Sequence, residues 1–395
     1  MPSKIDLDTD LTKAPYIYYI IFIYSLSRIP FLDLGFSAFT VSTDSDVLAI
    51  VNSAYLLRYY HIYTVSRFPG FPFYEFFNSF LIGGGWLFTN MGTAIVSFIG
   101  WIIFGKVLTI LQIKNKALLF ITFGFLPIIW INSTITIDYM WALMFVLLAC
   151  FFVFSERYGL GGLALGFAVG TRFTSVFMII PLLYWMIIGK IDVRKMKHFI
   201  LIGFFTSLGM FLPVLYKYHS EFLKGSGFIS TTPLNKPLET FAGSVLISSM
   251  NLISDLTGIL VIILVLILFL LRKVSFSDRR DLSKFCWITM LIYGILYFIF
   301  PYKTAYLIPA VPWILIIMNE KLGRKYFAIV CILLLLNNII TINIIKEDIP
   351  DISIDSGLIL KNYQERRFHS IKESQEYLDS LSKILSEERN SRNIS

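Results

Sequence analysis

Long apolar runs separated by short polar loops dominate the chain from Tyr16 to Ile345. A helix needs about 20 consecutive apolar residues to cross a bilayer, and it satisfies every backbone polar group internally. That template predicts spans at about 15–31, 82–105, 117–131, 135–154, 160–171, 174–190, 197–216, 254–272, 285–301, 304–320 and 325–345. The expected fold is an all-α polytopic membrane protein with about eleven transmembrane helices, within a range of about nine to thirteen. The weakest span is 160–171, whose apolar content is thinned by Gly161, Gly162, Gly166 and Gly170. Small residues at such spacing also let helices approach closely.

Two connecting segments are long. In the first, 32–81, apolar residues of Val47–Tyr60 recur at helical spacing, which suits a helix lying in the membrane interface. The second, 217–253, opens on Lys217-Tyr218-His219, passes Pro233 and Pro237, and reads as a further interfacial helix over Phe241–Leu252. After Ile345 the composition turns polar and mixed in charge. Ile371, Leu378, Leu381 and Leu385 fall at near-helical spacing. The expected organisation is therefore a transmembrane module over 1–345 and a small polar helical tail over 346–395, too poor in apolar residues to make its own core. The chain carries no internal repeat of the kind found in transporters.

Composition agrees with this division. Of 395 residues 56% are hydrophobic, 16% aromatic and only 15% charged, with mean hydropathy +0.72. Soluble domains carry roughly a quarter charged residues. The net charge of +8 does not point to nucleic acid, because the basic residues fall in short loops where the charge rule of membrane proteins explains them. With the N-terminus inside, Lys114, Lys116, Arg157, Lys190, Arg194, Lys195, Lys197, Arg272, Lys273, Arg279, Arg280, Lys284, Lys321, Arg324 and Lys325 lie inside. Arg58, Arg67, Arg172, Lys217, Lys224, Lys236 and Lys303 lie outside, a bias of about two to one. This orientation puts the first long loop and the tail on the outer face. The polar N-terminus and the run beginning at Tyr16 read as a retained first span rather than a cleaved signal. Cys150, Cys286 and Cys331 are too dispersed within apolar runs for a disulfide framework or a metal site.

The candidate chemistry sits on the outer side. Asp44 and Asp46, in Thr43-Asp44-Ser45-Asp46, could cap the helix that follows, accept a proton from a hydroxyl, or hold a divalent cation such as Mg²⁺ or Mn²⁺. The string Arg67-Phe68-Pro69-Gly70-Phe71-Pro72-Phe73-Tyr74-Glu75 predicts a rigid turn bearing one arginine. Arg172 and Lys303 stand at the ends of apolar runs, where they could neutralise a phosphate or snorkel to headgroups. Asp138 opens a span from the same side and could pair with one of these cations or cap its helix. The scattered histidines have no metal-ligand spacing. No phosphate-binding glycine loop or nucleophile elbow is present.

Taken in order, these motifs resemble the GT-C superfamily of integral-membrane glycosyltransferases. Thr43-Asp44-Ser45-Asp46 resembles the Asp-x-Asp motif in the first outer loop of the mannosyltransferase that starts glycosylphosphatidylinositol glycans. Arg67–Glu75 is similar to a Pro-Gly-aromatic segment of prokaryotic members. Gly166–Pro181, with Arg172, resembles a helix pair carrying a basic residue. Tyr302-Lys303-Thr304, followed by Tyr306-Leu307-Ile308-Pro309, looks like a degraded His-Lys-Glu and Arg-Phe-Leu-x-Pro pair in which Tyr302 and Thr304 replace His and Glu. The resemblance implies transfer of a hexose, mannose first, from a polyprenyl-phosphate or dolichyl-phosphate donor to a lipid, glycan or protein acceptor. The transfer would occur with inversion, on the extracytoplasmic face. It implies Asp44 or Asp46 as the base, Arg172, Lys303 and Arg67 on the donor phosphate, and Asp138, Tyr74, Glu75 and Tyr302 in support. The expected membrane is the plasma membrane of a prokaryote, or alternatively the endoplasmic reticulum. A lipid-linked-sugar flippase and a noncatalytic subunit of a glycan-assembly complex are the rival readings.

Overall fold

The computed structural model describes residues 16–36, 45–219, 259–270, 279–299, 304–346, 349–356 and 363–392. The described residues are helical apart from one short β hairpin near the C-terminus. It opens with α1 (Tyr16–Leu32), α2 (Ser45–Tyr60), α3 (Pro72–Leu81) and α4 (Gly85–Ile110). There follow α5 (Lys116–Phe125), α6 (Pro127–Asn132), α7 (Tyr139–Phe154), α8 (Tyr158–Thr171), a 3₁₀ turn (Phe173–Met178), α9 (Ile179–Ile188) and α10 (Val193–Tyr218). The remainder comprises α11 (Ile259–Leu270), α12 (Arg280–Ile299), a second 3₁₀ turn (Thr304–Ala310), α13 (Val311–Leu336), β1 (Ile340–Lys346), β2 (Ile349–Ser356) and α14 (Tyr363–Arg392).

Among the described residues four helical segments are long and apolar enough to cross a membrane: Pro72–Ile110, Val193–Tyr218, Arg280–Ile299 and Thr304–Leu336. Sequence patterning predicts about eleven spans; six shorter apolar helices, among them Ile17–Leu32, Tyr139–Phe154 and Tyr158–Thr171, fall on further predicted runs, and some runs are divided by local breaks. The 117–131 run divides at Leu126, whose extended backbone precedes Pro127. The 174–190 run opens with a 3₁₀ turn rather than an α-helix. α13 takes in parts of both predicted C-terminal spans, with a kink at Gly323, whose φ is +68. Only glycine adopts that conformation without strain. The helix predicted over 325–345 stops at Leu336, after which Ile340–Lys346 forms a strand antiparallel to Ile349–Ser356. Asn337-Asn338 punctuates the helix, and the following Ile and Thr favour extended backbone. The interfacial helix predicted over Phe241–Leu252 lies outside the described residues.

Large apolar side chains face outward along α1, α10 and α11, including Tyr18, Tyr19, Phe22, Phe204, Phe205, Leu266 and Phe269. Such a surface suits a hydrocarbon solvent rather than water. α8 and α10 meet along a seam of glycines, where a Cβ at Gly162 would strike the Phe199 carbonyl and one at Gly166 the Thr206 side chain. α7 is buried almost throughout. The backbone leading into it, 133–138, is not helical, yet Ser133, Thr134, Thr136 and Asp138 are fully enclosed by protein. Its polar groups are met locally. Thr136 N–H donates to the Phe36 carbonyl (3.1 Å), and Thr136 Oγ1 donates to Asn90 Oδ1 (2.8 Å). Asn90 Nδ2 in turn donates to the carbonyls of Leu32 and Gly35.

Candidate functional site

Four segments far apart in sequence bring charged side chains into one chain of contacts. Asp46 stands in the first turn of α2, where its charge opposes the helix dipole favourably. Its Oδ2 lies 2.5 Å from Arg67 Nη1. Arg67 also reaches Asp138 Oδ1 through Nη2, at 3.0 Å. Asp138 Oδ2 receives Arg172 Nη1 at 2.6 Å. The order is therefore Asp46–Arg67–Asp138–Arg172, with two charges of each sign. Asp138 occupies the N-cap position of α7, yet its carboxylate turns away from the helix backbone to serve the two arginines.

Burial deepens along this chain. The Asp46 and Arg67 side chains keep 22% and 19% of their surface, Arg172 keeps 5%, and Asp138 none. Burial alone would lower both guanidinium pKa values. The neighbouring carboxylates, Asp138 foremost, outweigh it and hold Arg67 and Arg172 above the ordinary arginine range. Both stay charged at every accessible pH. Aromatic rings complete their surroundings. Arg172 Cζ lies 4.1 Å from the Tyr139 ring centroid and 4.6 Å from that of Tyr306, and Arg67 Cζ lies 4.6 Å from that of Phe71. Cation–π contacts of this kind are worth about 2 kcal/mol when desolvated.

The loop that presents Arg67 is fixed from below by Glu75. This fully buried carboxylate on α3 accepts from Tyr63 Oη (2.7 Å), Ser66 N (2.6 Å) and Ser66 Oγ (2.6 Å). Burial, followed by the Glu75 charge, pushes the Tyr63 phenol well above its usual range, so it remains a donor. From above, Val65 N–H donates to Tyr218 Oη (3.2 Å), and Lys217 Nζ donates to the Tyr63 carbonyl. Gly70, at φ +99, closes the turn by donating its N–H to the Arg67 carbonyl (2.6 Å). Glu75 thus positions the arginine without touching it. Tyr74 is buried against Trp141, with ring centroids 5.5 Å apart.

Of the residues singled out from sequence, Asp46, Arg67, Asp138 and Arg172 come together, and Glu75 supports them. Asp44, Tyr302 and Lys303 lie outside the described residues. Tyr139, Tyr306 and Phe71 were not foreseen, although each stands in or beside a motif already noted. Arg28 was missed as well, despite being an arginine inside an apolar run. Its guanidinium lies 3.9 Å from the Tyr24 ring centroid and 4.5 Å from that of Trp130, and it donates to the Gly124 carbonyl at the end of α5. These contacts make it a strut between α1, α5 and α6.

Among the described residues no three His, Cys, Asp or Glu side chains converge, and the Asp46 carboxylate is already engaged by Arg67. Comparison of the chain with protein-family models, curated proteins and solved structures returns no match.

Proposed function

We propose that this chain is a membrane glycosyltransferase that moves a hexose, mannose foremost, from a polyprenyl-phosphate donor to an acceptor hydroxyl. The reading takes the bundle as a GT-C-like fold of about eleven spans with its site on the extracytoplasmic face. The observation that carries it is the meeting of Asp46, Arg67, Asp138 and Arg172 from four separate parts of the sequence.

The chemistry asks for two things. The acceptor oxygen attacks the anomeric carbon as the bond from that carbon to the phosphate oxygen breaks, inverting the centre. The hydroxyl proton passes to a carboxylate, and the departing phosphate keeps the electron pair. Asp46 at the less buried end of the network, or Asp44 two positions earlier in the sequence, takes the proton. Arginines with a fixed fork geometry stabilise the phosphate. Asp138 holds both guanidinium groups in place, and among the described residues buried Arg67 Nε has no hydrogen-bond partner.

The equal number of charges in the network favours a second reading, a noncatalytic subunit in which the pairs only staple helices together. Incubating purified protein with labelled polyprenyl-phosphate hexoses separates the two. A transferase releases polyprenyl phosphate, and Asp46→Asn or Asp44→Asn abolishes release while the lipid-linked sugar still binds. Absence of release from the unaltered chain with every such donor and a panel of acceptors sinks the transferase reading.

A further inference from the structure

The C-terminal helix α14 is rich in charge, and by composition it has little to gain from burial. It nevertheless inserts one stripe into the bundle. Ser370 and Ser374 are fully buried, with Tyr377 and Leu378 packed against the core, a spacing that defines a single helix face.

Ser374 and Tyr377 find their partners at the acidic end of the candidate site, whereas Ser370 Oγ has none among the described residues. Phe36 N–H donates to Ser374 Oγ (3.1 Å), satisfying a buried backbone donor. Tyr377 Oη donates to the carbonyl of Leu48, two residues past Asp46 (3.3 Å). The Phe36 carbonyl accepts from Thr136 N–H, two residues before Asp138 (3.1 Å). Gly35, at φ +81, lets the two backbones meet, since a Cβ there would sit 2.6 Å from the Ser370 carbonyl oxygen. One helix therefore braces the approach to both carboxylates, directly at α2 and through Phe36 at the segment before α7.

We propose that α14 is a clasp that holds Asp46 and Asp138 in register, with Ser374 and Tyr377 as its positioning residues. Its effect on turnover rests on the transferase reading, whereas its effect on local structure does not. The test is hydrogen exchange by mass spectrometry on the purified full chain, its Ser374→Ala/Tyr377→Phe variant, a Ser374→Thr variant and a chain ended after residue 362. Exchange in peptides covering 33–36 and 45–54 is expected to rise about tenfold in the double variant and the shortened chain. It should stay unchanged in α7 and α8, and Ser374→Thr should behave as the parent. Equal exchange in those two peptides, or the same acceleration throughout the bundle, overturns the clasp. Should the shortened chain fail to fold, the double variant decides alone. If exchange responds as expected while no chain releases polyprenyl phosphate, the clasp stands and the transferase reading falls.

Discussion

Asp138 is the residue on which the charged network turns, because both guanidinium groups depend on it and water does not reach it. Transfer of ions into an apolar interior is costly, and removing one partner strands the others. Asp138→Asn should therefore lower the unfolding free energy by about 3–5 kcal/mol. Asp46→Asn, nearer to solvent, should cost about 1 kcal/mol or less. Unfolding of the detergent-solubilised variants checks the contrast, and equal losses would mean that Asp138 is not the buried hub. At this scale sequence reading went far. It picked out each member of the network because ionisable residues stand out against apolar runs. It could not choose between capping and pairing for Asp138, since that choice depends on Arg67, 71 positions away. Arg28 escaped notice for a related reason: its partners are rings and carbonyls, which leave no charge pattern in a sequence.

Among elements, the α8–α10 seam shows how composition can mislead about importance. The glycines that make 160–171 the least convincing apolar run are the ones that let two helices touch backbone to backbone. Gly162→Leu should destabilise the protein by about 1–3 kcal/mol, because the side chain would meet the backbone carbonyl of Phe199. Gly209→Ala, in the same α10 but facing open space, should raise stability by up to about 1 kcal/mol through helix propensity. Thermal unfolding of the pair tests the assignment, which fails if Gly162→Leu is neutral. Most helices from α1 to α10 were legible, but α3 was not, because Pro72–Glu75 reads as part of a rigid turn and instead forms the first turn of a helix with Pro72 at its start. Breaks such as Leu126 and the strand after Ile339 were not, because hydropathy treats every apolar residue alike.

For the whole molecule, α10 sets the geometry. Its 26 residues make a rod about 39 Å long. Lys217 and Tyr218 at its C-terminal end hold the Arg67 loop, so Lys195 at the other end lies on the opposite side of the bundle. α14 touches the Asp46 side. A membrane-impermeant thiol reagent applied to intact cells should therefore label Ser45→Cys and Gln375→Cys together, and leave Lys195→Cys untouched. The native cysteines are buried and do not interfere. Labelling of Gln375→Cys and Lys195→Cys on the same side would contradict both the packing of α14 and the orientation read from lysine and arginine.

That rod has a mechanical consequence. Asp192 caps its foot by accepting from Arg194 N–H (2.9 Å), while its head grips the turn that carries an active-site candidate. Pro213, four residues before Lys217, removes one backbone hydrogen bond from α10, so any bend of the helix concentrates just below that grip, and the turn can shift while the foot stays in place.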